Sequence, residues 1–167
     1  MIDDRLTGDD NYFEDFTLGD SFRHARGKTV TEIDNVLLTQ MVMNTADAHF
    51  NEDTMVRTPF GRRLVFGGIT ASIVVGLASQ DASDNVIREE SLDGLRLHTP
   101  VFHGDTLYAT TEVLGKDPSV GGPDGGLVHF RHRGYNERGD LVCEVERRAV
   151  VRLRLRSTSS RSHAGAS

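Results

Sequence analysis

One run of ten residues constrains this chain more than any other: Ile69-Thr70-Ala71-Ser72-Ile73-Val74-Val75-Gly76-Leu77-Ala78, uncharged throughout and opened by Gly67-Gly68. It is far shorter than the roughly 20 apolar residues that cross a bilayer, so it reads as a buried helix over about 69–80. A helix apolar on all sides must be enclosed over most of its surface. The chain downstream supplies the enclosure as four strand-like stretches, 92–99, 106–114, 127–135 and 141–155. Gly121-Gly122-Pro123-Asp124-Gly125-Gly126 and Asn136-Glu137-Arg138-Gly139-Asp140 are the turns before and after the third stretch. A buried helix followed by an antiparallel meander predicts an α+β fold, one antiparallel sheet wrapped around a long buried helix. A length of 167 residues suits a single domain, expected over 1–156. The Ser/Ala/Gly/Arg-rich end, 157–167, is expected to be a disordered tail.

Upstream of the helix the pattern is mixed. The first fifteen or so residues are polar and irregular, with Phe13 and Phe16 expected to tuck beneath the domain, and 22–28 reads as a strand. Thr31 is a fitting N-cap, with Glu32 and Asp34 in the first turn, for a helix over 32–44 whose apolar face is Val36, Leu37, Met41 and Met43. The polar stretch from 44 to 63, broken by Pro59 and Gly61, is long for a plain connection and points to a functional loop.

Several residues around that loop have the chemistry of a site. Histidine titrates near neutral pH, so His49 suits a general acid/base, though a loop histidine also serves as a structural hydrogen-bond partner. Asn44 suits either substrate contact or the end of the preceding helix. Gly67 and Gly68 place free N–H groups at a helix N-terminus, suited to a developing oxyanion or to close packing. Arg26, Arg62 and Arg63 are surface charges or a clamp for an anion.

Other features exclude function classes. A net charge of −6 argues against non-specific nucleic-acid binding. Cys143 is the single cysteine and cannot form an internal disulfide, which favours a reducing, cytoplasmic setting. Met1-Ile2-Asp3-Asp4-Arg5 has no apolar stretch like a secretory signal. The histidines His24, His98, His103, His129, His132 and His163 match no zinc spacing, and no metal site is expected. No phosphate-binding glycine loop follows a strand. The alternation of Arg152 and Arg154 with Leu153 and Leu155 reads as an outward strand face, with Arg156 and Arg161 further along.

Three segments, taken together, resemble the MaoC-like hydratase family of hotdog proteins. They are Asn44-Thr45-Ala46-Asp47-Ala48-His49-Phe50-Asn51-Glu52-Asp53, Phe60-Gly61-Arg62-Arg63-Leu64-Val65-Phe66-Gly67-Gly68, and Pro100-Val101-Phe102-His103-Gly104-Asp105-Thr106-Leu107. The resemblance spans roughly 11–155. It departs from the family pattern in three places: Asn44 stands where the family has an Asp, Ala46-Asp47 replaces Asn-Pro, and Phe66 stands where many relatives have a His. The segment Phe22-Arg23-His24-Ala25-Arg26-Gly27 and the Asn-x4-His spacing are similar to the branch that hydrates mesaconyl-CoA or itaconyl-CoA.

The resemblance implies a hotdog domain and an (R)-specific enoyl-CoA hydratase or dehydratase, a carbon–oxygen lyase. It implies His49 and Asn44 as the catalytic pair, and Gly67 and Gly68 as donors to the thioester carbonyl. Arg26, Arg62 and Arg63 are candidates to bind a substrate carboxylate, because a desolvated carboxylate needs a cationic fork. The CoA thioester is substrate, and no further cofactor is expected. An uncovered sheet edge predicts a homodimer or a higher assembly. Two other readings stand beside this one: a hotdog acyl-CoA thioesterase, and a non-catalytic acyl-CoA-binding subunit in which Asn44 marks the lost acid.

Overall fold

The computed structural model describes residues 3–7 and 11–154. Six strands are present: β1 (Asp3–Thr7), β2 (Ser21–Thr29), β3 (Val86–Leu97), β4 (Thr106–Asp117), β5 (Gly125–Tyr135) and β6 (Leu141–Arg152). They form one sheet in the order β1-β2-β4-β5-β6-β3. All neighbours are antiparallel except β1 and β2, which run parallel at one edge. β1 falls within the opening read as irregular, where a polar five-residue segment carries no period-2 signal. The final strand ends at Arg152, three residues before the expected 155. The expected tail, 157–167, lies outside the described residues, as do Leu155, Arg156, Arg161 and His163.

Alternation fixes the two faces of the sheet. Along β5, Val128, Phe130, His132 and Gly134 point to the core, and His129, Arg131 and Arg133 point away. The outward row is paired rather than bare. Arg133 bonds Glu112 at 3.0 Å and Glu144 at 2.8 Å, while Glu146 meets Arg131 and His129, each at 2.8 Å. Such half-exposed pairs are worth about 0–1 kcal/mol each and serve mainly to cover the sheet with solvated charge.

The central helix, α3 (Gly67–Leu77), lies across the inner face and contacts β2, β4, β5 and β6. A Cβ on Gly134 would come within 2.3 Å of Val74, so glycine there lets the helix sit directly on the strand. This is the expected sheet-around-helix arrangement, with two corrections. Ala78 caps the helix, and a separate turn, α4 (Ser79–Ala82), completes the expected 69–80 span. Enclosure is also one-sided: Ile69, Thr70 and Val74 are buried, whereas Ser72 and Gly76 are exposed. The uncovered side faces an open groove of about 360 Å³ that includes Ala71, Val75, Leu92 and Leu95. Beside it the edge strand β3 exposes Ile87, Leu92, Leu95 and Leu97.

Helix α1 (Glu32–Met41) begins as expected. Thr31 accepts from the Asp34 N–H at 3.2 Å, and the Asp34 carboxylate accepts from the Thr31 N–H at 2.9 Å. It ends three residues before 44 because the chain turns left-handed at Met43, φ 59°. The N–H groups of Met43 and Asn44 then close on the carbonyls of Gln40 and Thr39. Its burial reverses expectation. Leu37, Met41 and Met43 are exposed and Val36 is only partly buried, while Asn35 and Thr39 are fully buried. The inward side lies over backbone near Leu64 and Phe66, which demands hydrogen bonds rather than apolar surface.

Phe13 and Phe16 are buried as expected, with Phe16 edge-on to Phe130 at 5.0 Å. Nearby, a buried polar chain runs from Asp81 through His24 and Thr111 to His132, between α4, β2, β4 and β5. Among the described residues no helix is long and apolar enough to cross a membrane.

Candidate functional site

His49 closes a short 3-10 turn, Asp47–His49, a few residues after α1 ends. Its Nδ1 lies 2.9 Å from the Leu64 carbonyl oxygen. A carbonyl only accepts, so the proton of the neutral ring is on Nδ1 and the lone pair is on Nε2. The half-buried ring leans on Phe66, 5.4 Å between centroids. It lines a cleft of about 260 Å³ together with Gly67, Thr70, His98, Thr99 and Pro100.

Across that cleft α3 begins. The Phe66 carbonyl takes the N–H groups of Ile69 and Thr70 at 2.9 and 3.1 Å, and no side chain caps the helix. The N–H groups of Gly67 and Gly68 are those that helix geometry leaves without a partner, at its positive end. Gly67 borders the cleft and Gly68 does not. A side chain at Gly67 would strike Leu97 at 2.1 Å, so glycine lets β3 close over the helix start.

Asn44 works within the loop. Its Oδ1 accepts from the Ala46 N–H at 2.9 Å, forming an Asx turn that leads into the His49 segment, and the residue is not among those lining the cleft. The three arginines have different surroundings. Arg26 is exposed on β2, and Arg62 stacks 3.9 Å from the Phe102 ring centre with no carboxylate partner among the described residues. Arg63 is committed: its guanidinium holds Glu52 at 2.7 Å and Glu32 at 2.6 Å, tying α1 to the short helix α2 (Glu52–Met55). Those bonds hold the Glu32 carboxyl below its ordinary range and raise Arg63 further. Among the described residues, no hydrogen bond or ion pair joins Arg26 to Arg62 or Arg63.

The Gly104-Asp105 pair has a clear local cause. Gly104 is left-handed at φ 94°, and Asp105 folds back so that its carboxylate accepts from the Phe102 N–H at 3.0 Å. Val30 then exchanges two backbone bonds with this turn, to Gly104 at 2.8 Å and to Asp105 at 2.9 Å. The turn presents His103, a partly buried ring whose pKa is lowered first by burial and next by the nearby Arg63 charge. Three residues escaped the sequence reading: His98, which shares the cleft with His49; His103, which faces the loop from below; and Asn35, which bonds both His103 and the His49 segment. Helical spacing gave no signal for Asn35, which lies off the apolar face expected of α1. Among the described residues no cluster of His, Cys, Asp or Glu could hold a metal ion.

A family model described as mesaconyl-CoA hydratase matches residues 1–153. The chain belongs to the mesaconyl-CoA hydratase family. These are the MaoC-like hotdog hydratases that the three segments resemble. The mesaconyl-CoA hydratase of Haloarcula marismortui is 31% identical over 161 residues, covering 90% of this chain and 44% of that protein. The (R)-specific enoyl-CoA hydratase of Rhodospirillum rubrum is 34% identical over 147 residues, covering 86% of this chain and 94% of its own length. Among solved structures, a Mycobacterium tuberculosis protein described as a double hotdog fold superposes with a TM-score of 0.75 at 26% identity. There the match covers 86% of this chain and 44% of the other. The chain thus spans under half of the mesaconyl-CoA hydratase it matches and nearly all of the shorter hydratase.

Proposed function

We propose that this chain adds water to, or removes it from, the α,β double bond of a short dicarboxylic enoyl-CoA such as mesaconyl-CoA. One observation carries the reading: His49 is held through Nδ1 at the Leu64 carbonyl, which leaves Nε2 free beside a cleft bounded by the start of α3. In hydration, Nε2 takes a proton from water while the water oxygen bonds to the β-carbon. The displaced π electrons pass through the α-carbon to the thioester oxygen, which accepts from the free N–H group of Gly67, the helix-start glycine that borders the cleft. The enolate then collapses, and the α-carbon takes its proton from the imidazolium at Nε2. Asn44 has no exchangeable charge, so His49 carries both transfers. The Leu64 carbonyl stabilises the imidazolium between them.

Arg62 is the arginine best suited to a substrate carboxylate, because its guanidinium is exposed and stacked but has no anionic partner among the described residues. Arg63 is occupied by Glu32 and Glu52 and serves the loop instead. The substrate is the CoA thioester itself, and the chemistry requires no further cofactor. A second copy of the chain is the proposed partner: laid on α3 and β3, it would cover the apolar groove and restore the size of the longer relatives. The single cysteine, which cannot form an internal disulfide, fits the expected cytoplasmic setting.

The test is loss of the enoyl-thioester absorbance with mesaconyl-, itaconyl- and crotonyl-CoA. A dicarboxylic substrate should turn over at least about tenfold more efficiently than crotonyl-CoA, with the Arg62→Ala variant losing that preference through KM. Release of free CoA without loss of the double bond would establish the thioesterase reading instead.

A further inference from the structure

Asn35 is fully buried on the inward side of α1 and every polar atom of its side chain is engaged. The Phe66 N–H lies 2.9 Å from Oδ1, and because an N–H only donates, that contact fixes which end of the amide is oxygen. The Thr39 hydroxyl donates to the same oxygen at 3.3 Å. Nδ2 therefore faces the other way, toward the carbonyl oxygens of His49 and Leu64, each at 3.3 Å, and toward His103 Nε2 at 3.0 Å. An amide nitrogen only donates, so the 3.0 Å contact makes His103 Nε2 an acceptor, unprotonated in a neutral ring whose proton is on Nδ1.

Three partners of this amide, Leu64, His49 and Phe66, belong to the site. The Leu64 carbonyl is the group that holds His49 Nδ1. The His49 carbonyl fixes the backbone of the same residue, and Phe66 is the N-cap of α3, directly before Gly67. One side chain thus spans the two halves of the cleft. We infer that Asn35 is a positioning residue that sets the spacing between the His49 imidazole and the N–H groups at Gly67–Gly68, with His103 as its acceptor from below. The inference rests on the hydratase reading for its effect on rate, but its effect on His49 itself is independent of activity.

Removing the amide frees the Leu64 and His49 carbonyls and leaves the Phe66 N–H buried without an acceptor. Neither His49 nor the helix start then keeps its place, and displacements on the 1 Å scale cost up to about 100-fold in rate. Asn35→Asp is the sharper variant, since it keeps volume and the acceptor for Phe66 but cannot donate to the two carbonyls. Asn35→Leu removes both functions.

The experiment records ring ¹⁵N spectra of His49 and His103, and steady-state kinetics with mesaconyl-CoA. In the wild type both rings should be in the Nδ1–H form. In Asn35→Asp the His49 signal should move toward a mixture of tautomers, with kcat falling about 10- to 100-fold and KM changing less than about threefold. A wild-type His103 protonated at Nε2 would overturn the inference even if no variant folds, because Asn35 could not then donate to it. So would a folded Asn35→Asp protein whose His49 spectrum and kcat match the wild type. If His49→Ala retained full turnover while Asn35→Asp shifted the His49 spectrum, the hydratase mechanism would fail and the positioning role would stand.

Discussion

His132 sits with no exposed surface between β4 and β6, bonded at Nδ1 to the Thr111 hydroxyl, and its Nε2 has no partner among the described residues. Burial, reinforced by the Arg147 and His24 charges, lowers its pKa from the ordinary 6.5 to about 3. The folded ring therefore stays neutral while the unfolded ring binds a proton below pH 6.5. Stability is present in full above pH 6.5, is lost between 6.5 and about 3, and levels off below. Between pH 7 and 5 this residue should cost about 2 kcal/mol of folding free energy. Denaturant titrations of wild type and His132→Asn check it: the variant should lose about that much less over the same interval. The legibility of residues divides along the same lines. His49 drew the reading by its place in a long polar loop, where a histidine serves either as an acid/base or as a hydrogen-bond partner. His24, Asn35 and His132 were not, because each is a polar residue whose partners come from distant parts of the chain, and sequence spacing carries no sign of them.

Elements were legible where one physical pattern dominated. The period-2 alternation of β5 and β6, the Thr31 cap and the glycines opening α3 all acted as read, because each effect is local. The burial of α1 went the other way. Its expected apolar face of Val36, Leu37, Met41 and Met43 is largely exposed, because what lies beneath the helix is the backbone of the site loop, and hydrogen bonding to it decided the orientation. The end of α1 was missed because Met43 takes a conformation usually reserved for glycine. A left-handed methionine that is 86% exposed has strain without compensating contacts. Met43→Gly should therefore raise the unfolding free energy by about 0.5–1 kcal/mol, read from the denaturant midpoint at unchanged slope. A lower midpoint would mean that the methionine side chain contributes more than its exposure suggests.

At the scale of the whole molecule, an apolar helix with only one face covered and an edge strand rich in exposed leucines are two sides of one unfinished core. The sequence predicted a helix that must be enclosed. A single sheet encloses one side, and the proposed second copy would complete it. The cleft at His49 is bordered by Leu97 at the end of β3. Assembly along that strand would shape this cleft and the interface together. The proposed hydration nevertheless depends on one imidazole, which turnover of mesaconyl-CoA by His49→Ala beside the wild type tests directly, with thioester binding followed by calorimetry in both. Hydration should fall at least about 1000-fold while binding stays within a few-fold. A variant that hydrates mesaconyl-CoA as fast as the wild type would contradict it.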